Sequence, residues 1–399
     1  MTAVLGLILL IGLPVVIITG LLSNDAYQPG LGANALGRNL GPPDFYLFGW
    51  PTRPAWLYAL TQGLHVTVGL ALFPVLLAKL WSVIPRLFEW PPLRNPAHAL
   101  ERISLALLVG GALFEFVTGI LNIQYWYAFP FFFTQAHYYG AWVFTGAFLA
   151  HVTLKLGTMR RSLRDRRMIL EGHTTADGAA DPADVAATSL IASSPAPQTM
   201  SRRALLATVG AGSLLLGIQG AAQSLGGPFR AVAFLLPRGR APSGRLGFPV
   251  NKSWAAAGIS SGTIGSQWRL HLAGRRRLSL SREQLLALPQ HTYDLPIACV
   301  EGWSTTQRWS GVRLRDLAAL CGVSDAATVT TESFERGTFG HATLGHEQVA
   351  DNRSLLALRV NGVDLSLDHG YPARVISPAV PGVHCTKWVS QISFHRVAI

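Results

Sequence analysis

Four histidines, one carboxylate and three cysteines are the residues of this chain whose type and spacing promise chemistry. His65, His137 and His151 lie inside long apolar stretches, and His98 just precedes one. Ionisable side chains at membrane depth are costly and are usually functional. His137 and His151 stand 14 residues apart, about 21 Å along a helix and about 40° around it. One helix face can therefore present two imidazoles to two stacked haem irons with bis-His ligation. In that reading His65 and His137 hold an outer haem b, and His98 and His151 an inner one. The alternative is a set of histidines hydrogen-bonded between helices, with no iron. Glu115, in mid-stretch, is a candidate proton relay or quinone contact, or else a protonated carboxyl bonded to a neighbouring helix. Cys299, Cys321 and Cys385 form no CxxC pair and are too few for a disulfide framework. Cys321 closes a short helical turn and reads as core packing.

The elements that must position these residues are of two kinds. Hydrophobic residues make up 49% of the 399 and charged residues 14%, too few charges for an ordinary soluble protein of this size. Five stretches have the roughly 20 apolar residues that a bilayer crossing needs: Ala3–Leu22, Trp56–Leu80, Ile103–Ile123, His137–Gly157 and Ala204–Leu225. Arg160, Arg161, Arg164, Arg166, Arg167, Arg202 and Arg203 flank the fourth and fifth, and Arg86, Arg94 and Arg102 lie between the second and third. Basic loops stay inside, so the expectation is a cytoplasmic N-terminus and an extracytoplasmic domain from residue 226. The formal charge of +12 then belongs largely to topology and does not call for nucleic acid. The bundle resembles, in outline, b-type cytochrome subunits of membrane dehydrogenases. A regular two-haem pattern would put a histidine near position 79, where this chain has Lys79.

Residues 172–198, rich in Ala, Ser, Pro and Asp without apolar periodicity, read as a flexible linker. They lead to Ser201-Arg202-Arg203-Ala204-Leu205-Leu206 and a Gly- and Ala-rich apolar segment. That run resembles a twin-arginine export signal, here internal; two arginines obeying topology alone are the plainer reading. The expected organisation is thus a four-helix bundle over 1–159, a basic loop and linker over 160–203, a fifth span over 204–225 and a mixed α+β domain over 226–399.

In that last domain Gln267–Ala273 alternates as a strand, Ser281–Ala287 and Leu314–Leu320 suit short helices, and Ser354–Val360 and Ala373–Ile376 suit strands. Cys299-Val-Glu-Gly-Trp-Ser304 is followed by Trp309-Ser-Gly-Val-Arg-Leu-Arg-Asp-Leu317, His369-Gly-Tyr-Pro-Ala-Arg374 and Pro381-Gly-Val-His-Cys-Thr-Lys-Trp388. In this order the four runs resemble the signature of the sulfite-oxidase superfamily of molybdopterin enzymes. Over roughly residues 245–399 they are most similar to the branch containing the periplasmic methionine-sulfoxide reductase catalytic subunit.

The resemblance implies Mo-molybdopterin as cofactor, with the Cys299 thiolate on molybdenum, a soft ligand for a metal already bound by a dithiolene. It implies that Arg374 and Lys387 meet the pterin phosphate, with Cys385 and Thr386 offering backbone N–H groups. His369, Asn251 and Ser333 match further polar cofactor contacts. Two departures stand out. Val300-Glu301-Gly302-Trp303 follows the cysteine where strict sulfite oxidases carry basic residues, leaving Arg308, beside Trp309, either to supply the cation for an anionic substrate or to face solvent. Only 11 residues follow Trp388, so no Ig-like dimerisation domain is expected. The function implied is two-electron, oxygen-atom-transfer chemistry on a small substrate, with electrons exchanged with a membrane quinone or another carrier. The alternative is a non-catalytic, membrane-tethered binding or scaffold module on the same fold.

Overall fold

The computed structural model describes residues 2–31, 34, 48–87, 96–170, 200–240, 246–337 and 339–396. The linker expected at 172–198 lies outside them, as does the side chain of His98. Among the described residues five long helices occur: α1 (Thr2–Tyr27), α2 (Leu57–Leu87), α3 (Pro96–Ile123), α4 (Phe133–Leu170) and α5 (Arg202–Leu225). Among the described residues four are long and apolar enough to cross a membrane: Val4–Tyr27, Leu57–Ile84, Arg102–Ile123 and Arg202–Leu225. The fourth expected span is the difference. Helix α4 opens on Thr134, Gln135 and His137 and runs without a break into its basic end. Arg160 to Arg167, expected in a loop, prolong this helix to Leu170. Arg, Leu and Met are good helix formers, and neither Gly nor Pro follows Gly157 to stop it. At the other end of its hairpin, α3 starts at Pro96, earlier than expected, so His98 falls on its first turn. Pro suits that position because its missing N–H would be unpaired there anyway.

The chain divides into two compact units whose boundaries fall inside α1, α2 and α5. The first holds residues 1–17 and 67–218. Its core is apolar side chains from α1 (Leu5, Leu9, Leu13), α2 (Leu72, Val75, Leu76), α3 (Ala112, Phe116) and α4 (Phe144, Phe148). The second holds residues 18–66 and 219–399.

That second unit contains two sheets. One has the order β2-β1-β10-β5-β6, from strands β1 (Leu270–Ala273), β2 (Arg277–Leu280), β5 (Thr328–Ser333), β6 (His341–Gly345) and β10 (Val389–His395). Only β1 and β10 pair in parallel there. The other has the order β3-β4-β7-β8, from β3 (His291–Ala298), β4 (Ser304–Arg313), β7 (Leu355–Val360) and β8 (Val363–Asp364), with β9 (Arg374–Ile376) also on β7. Short helices lie between the strands, among them α6 (Arg282–Ala287), α7 (Leu314–Leu320) and α8 (His346–Ala350). Ser281 caps α6 through a reciprocal box with Gln284, which closes two otherwise unpaired donors.

Buried apolar residues from both sheets, including Leu270, Leu295, Trp309, Leu317, Leu356 and Ile392, make one continuous core. Each such aliphatic side chain contributes about 1.5–3 kcal/mol on leaving water. This core fixes β3, β4 and β9, and with them the polar loops at their ends.

Candidate functional site

Strands β3 and β4 form an antiparallel hairpin whose last pair is Ala298 with Ser304, so residues 299–303 are its loop. The Cys299 N–H donates to Trp303 O at 3.0 Å, and the Gly302 N–H to Cys299 O at 2.9 Å. Gly302 has φ +87°, a conformation that glycine adopts freely. Cys299 is 8% exposed, and its Sγ accepts the Asn251 amide at 3.0 Å. Burial pushes the thiol well above its usual range, and Glu301 adds to this; Asn251 opposes it.

The cationic half is built from three loops. Arg374, opening β9, donates to His369 O and Cys385 O, each at 3.1 Å, and its guanidinium lies 5.2 Å from the centre of the Trp309 ring. Lys387 donates to Lys252 O at 2.5 Å and Asp368 O at 3.0 Å, with its ammonium over the Trp388 ring. Gly370, at φ +106°, lies between them: a Cβ there would come within 3.1 Å of both the Arg374 and Lys387 Cβ atoms. Burial lowers the pKa of Arg374 to about 10. Lys387 falls to about 7, by burial and then by Arg374. His369 is pulled down to about 4 by burial and then by Arg374. It is held by Ser366 Oγ at 2.7 Å, and its ring centre lies 4.0 Å from that of Phe248.

Five predicted residues are thus joined by bonds through neighbours. Asn251 reaches Cys299, Lys252 next to it receives Lys387, and His369 receives Arg374. The others sit differently. Ser333 Oγ donates to Lys387 O at 2.7 Å and accepts from the Glu335 N–H at 2.9 Å, so it shapes the strand end beneath Lys387. Thr386 Oγ1 pairs with Thr331 Oγ1 at 2.7 Å. The Cys385 N–H turns inward to Gly382 O at 3.2 Å and is not the open amide expected, because it closes a 3₁₀ turn. Its thiol is buried and unpaired as a disulfide.

Arg308 is the clear correction. It pairs with Asp294 on β3, four places from the hairpin's last pair, which is about 14 Å at strand rise. There it is exposed and bonds Asp294 at 3.3 Å; it does not approach Cys299. Arg238, which donates to Asn251 O at 2.8 Å, and Lys252, paired with Glu335 at 2.6 Å, carry charge that the motifs did not flag.

Among the described residues no cluster of three or more His, Cys, Asp or Glu is placed to hold a metal ion. A single cysteine suffices for a metal that a dithiolene already binds. The donor set fits an anionic, ring-shaped group. Arg238, Lys252, Arg374 and Lys387 face only Asp368 and Glu335 among the acids named around Lys387. The buried Arg374 Nε and Trp303 Nε1 have no partner among the described residues, and buried donors without partners call for an acceptor.

The histidines of the helices divide between the units. In the second unit Thr19 Oγ1 lies 3.4 Å from His65 Nδ1. In the first, His137 Nδ1 meets Glu115 Oε2 at 3.1 Å and Thr118 Oγ1 at 2.9 Å. His151 lies on α4, half-buried.

Residues 259–398 match the family described as an oxidoreductase molybdopterin binding domain. An uncharacterized oxidoreductase of Bacillus subtilis (strain 168), YuiH, is 32% identical over 134 residues, covering 33% of this chain and 67% of YuiH. The mitochondrial sulfite oxidase of Rattus norvegicus is 32% identical over 156 residues, covering 32% of this chain and 29% of that protein. The chain thus spans less than a third of this larger relative. A solved structure, the sulfane dehydrogenase SoxCD from Paracoccus pantotrophus, is 25% identical over 34% of this chain and 41% of its own, at a TM-score of 0.31, too low to bear on the fold. The family match makes residues 259–398 a molybdopterin-binding oxidoreductase domain. The chain belongs, through this C-terminal region, to the sulfite oxidase family.

Proposed function

We propose that the chain is a membrane-anchored molybdopterin oxidoreductase, working outside the cytoplasm on a small substrate by two-electron, oxygen-atom-transfer chemistry. The observation that carries this is the Cys299 thiol, held by the Asn251 amide at 3.0 Å beside loops that gather Arg374 and Lys387. Cys299 would bind the molybdenum, Arg374 and Lys387 the phosphate, and Asn251 and His369 the pterin. When bound, the cofactor supplies the two-electron couple. The protein's part is orientation: the Asn251 amide sets the direction of the sulfur, and the Trp309 ring holds the Arg374 guanidinium flat. His369, neutral near pH 7 by its lowered pKa, keeps one ring nitrogen as an acceptor.

The loop Val300–Trp303 carries no cation and Arg308 stands away from it, which favours a neutral oxygen-bearing substrate, such as a sulfoxide, over sulfite. The apolar helices support anchoring, and the basic residues at 160–167 and 202–203 support a cytoplasmic side for them. His65 in the second unit, and His98, His137 and His151 in the first, remain the proposed ligands of b haem that would pass electrons to or from a quinone.

The direct test is molybdenum, pterin and haem stoichiometry on the purified full chain. One molybdenum and one pterin per chain are expected, and Cys299→Ser should abolish turnover while most pterin stays bound. Full turnover in that variant would falsify the thiolate assignment. Export is tested separately. Changing Arg202-Arg203 to Lys-Lys keeps the charge yet should stop external protease from reaching residues 226–399. Wild-type cleavage would remove the twin-arginine reading.

A further inference from the structure

We infer that Gln62 and Gln223, near the ends of α2 and α5, are positioning residues for Cys299: together they hold the tip of the hairpin loop that carries it. The inference rests on reading Cys299 as the molybdenum ligand. The loop has two internal backbone bonds, both involving Cys299. Its tip carbonyls, Val300 O and Glu301 O, are bound from outside the domain's sheets. Gln62 Nε2 donates to Val300 O at 2.6 Å, and Gln223 Nε2 donates to Glu301 O at 2.7 Å. These partners come from 238 and 78 residues away in sequence.

Packing alone does not account for the two amides. Gln62 is 4% and Gln223 1% exposed, and a buried amide is unfavourable unless hydrogen-bonded. Gln223 Oε1 has no partner among the described residues, so the bond it donates is what offsets its burial. Gln62 is itself aimed, because Ser23 Oγ on α1 donates to its Oε1 at 2.6 Å.

The grip extends through the rest of the loop. Ser304 Oγ donates to Ser224 O at 2.5 Å. A Cβ at Gly302 would lie 2.7 Å from Val66 Cβ, so α2 closes on that residue with no room to spare. Residues 300, 301, 302 and 304 therefore each meet one of the two helix ends. A thiolate on a five-residue loop turns with its loop, so these helices set the direction of the sulfur. They are part of the site and not only its tether.

The experiment uses the full detergent-solubilised chain with Gln62→Met and Gln223→Met, which keep length and apolar bulk but remove the donor. In cofactor-free protein, iodoacetamide labelling is followed thiol by thiol by peptide mass spectrometry, with fully buried Cys321 as internal reference. Labelling of Cys299 should rise by about three- to ten-fold, the shift expected for one lost hydrogen bond, while Cys321 stays at its wild-type rate. Ser23→Ala, which frees Gln62 without deleting it, should give a smaller rise. In loaded protein the Mo(V) electron paramagnetic resonance signal should shift in both glutamine variants. Both thiols rising together would mean general loosening and would overturn the inference. So would wild-type labelling with a wild-type Mo(V) signal. Should Gln62→Met not fold, Gln223→Met carries the same expectation by itself. Absence of molybdenum from the wild-type chain would instead defeat the reading of Cys299 on which all this depends.

Discussion

Two buried polar clusters, one in each unit, are satisfied in different ways. Around the cationic loops of the second unit, charged side chains bond to backbone carbonyls: Arg374 to residues 369 and 385, Lys387 to residues 252 and 368. In the helical unit His137 meets Glu115 and Thr118 side chain to side chain, and the backbone carbonyls to which Thr118 donates, Phe114 O and Glu115 O, lie on its own helix. Gly140 leaves the space that the Glu115 carboxylate occupies. A site made of loop carbonyls needs a whole stretch of sequence to set its shape. A site made between helices needs only single residues at scattered positions.

The comparison is broken most severely at Arg374. Arg374→Ala would leave two buried carbonyls without donors, at about 1–3 kcal/mol each, and remove a buried charge from the proposed phosphate site. We expect a lower melting temperature and near-complete loss of bound pterin, read as fluorescence of the released, oxidised cofactor. Wild-type pterin content would separate the cationic loops from the cofactor.

In the helical unit, His137→Ala should remove a low-spin b-type absorbance, and His151→Ala half of it or none. If a haem-replete wild-type preparation shows no such absorbance, the Glu115–Thr118–His137 contacts are structural and the bundle is an anchor.

The smallest effect is a pH dependence. In the cofactor-free fold Lys387 has its pKa lowered from 10.5 to about 7 and His369 from 6.5 to about 4. Between each pair of values the unfolded chain binds a proton that the folded one does not, so stability rises with pH through both windows. Melting temperature should climb from pH 4 to 6.5 and again above 7, and Lys387→Met should flatten only the upper rise. An unchanged upper slope in that variant would assign it to other groups.

These contrasts explain what the sequence disclosed. Helices α6 and α7 and strands β7 and β9 were legible because caps and apolar periods are local. The runs around Cys299, His369, Arg374 and Lys387 could be picked out because each is contiguous, and the structure joins Arg374 to His369 and Lys387 to Asp368 beside it; their roles toward a cofactor stay proposals. Arg308 misled for a period-2 reason: its neighbour Trp309 points into the core, so Arg308 points out to solvent. Gln62 and Gln223 gave no signal, since a lone glutamine in an apolar helix names no partner. The fourth expected span lies on α4, whose apolar run is interrupted by Tyr, Gly, Thr and His residues, so it stands apart from the four more apolar helices.

Strand β10 lies in the middle of its sheet, between β1 and β5, yet it is synthesised after the other nine. From Ser333, where β5 ends, to His395 a ribosome needs about 3–12 s at 5–20 residues per second. Throughout that interval β1 and β5 have an unfilled gap between them, and the loops carrying Arg374 and Lys387 have no closed sheet to stand on. The pairs β1–β2, β3–β4 and β5–β6 are close in sequence and can form as they are made, but the first sheet closes only when β10 is complete. The apolar helices are made earlier, while the C-terminal chain is still waiting for its central strand, and a chaperone that covers an open sheet edge would act in that window.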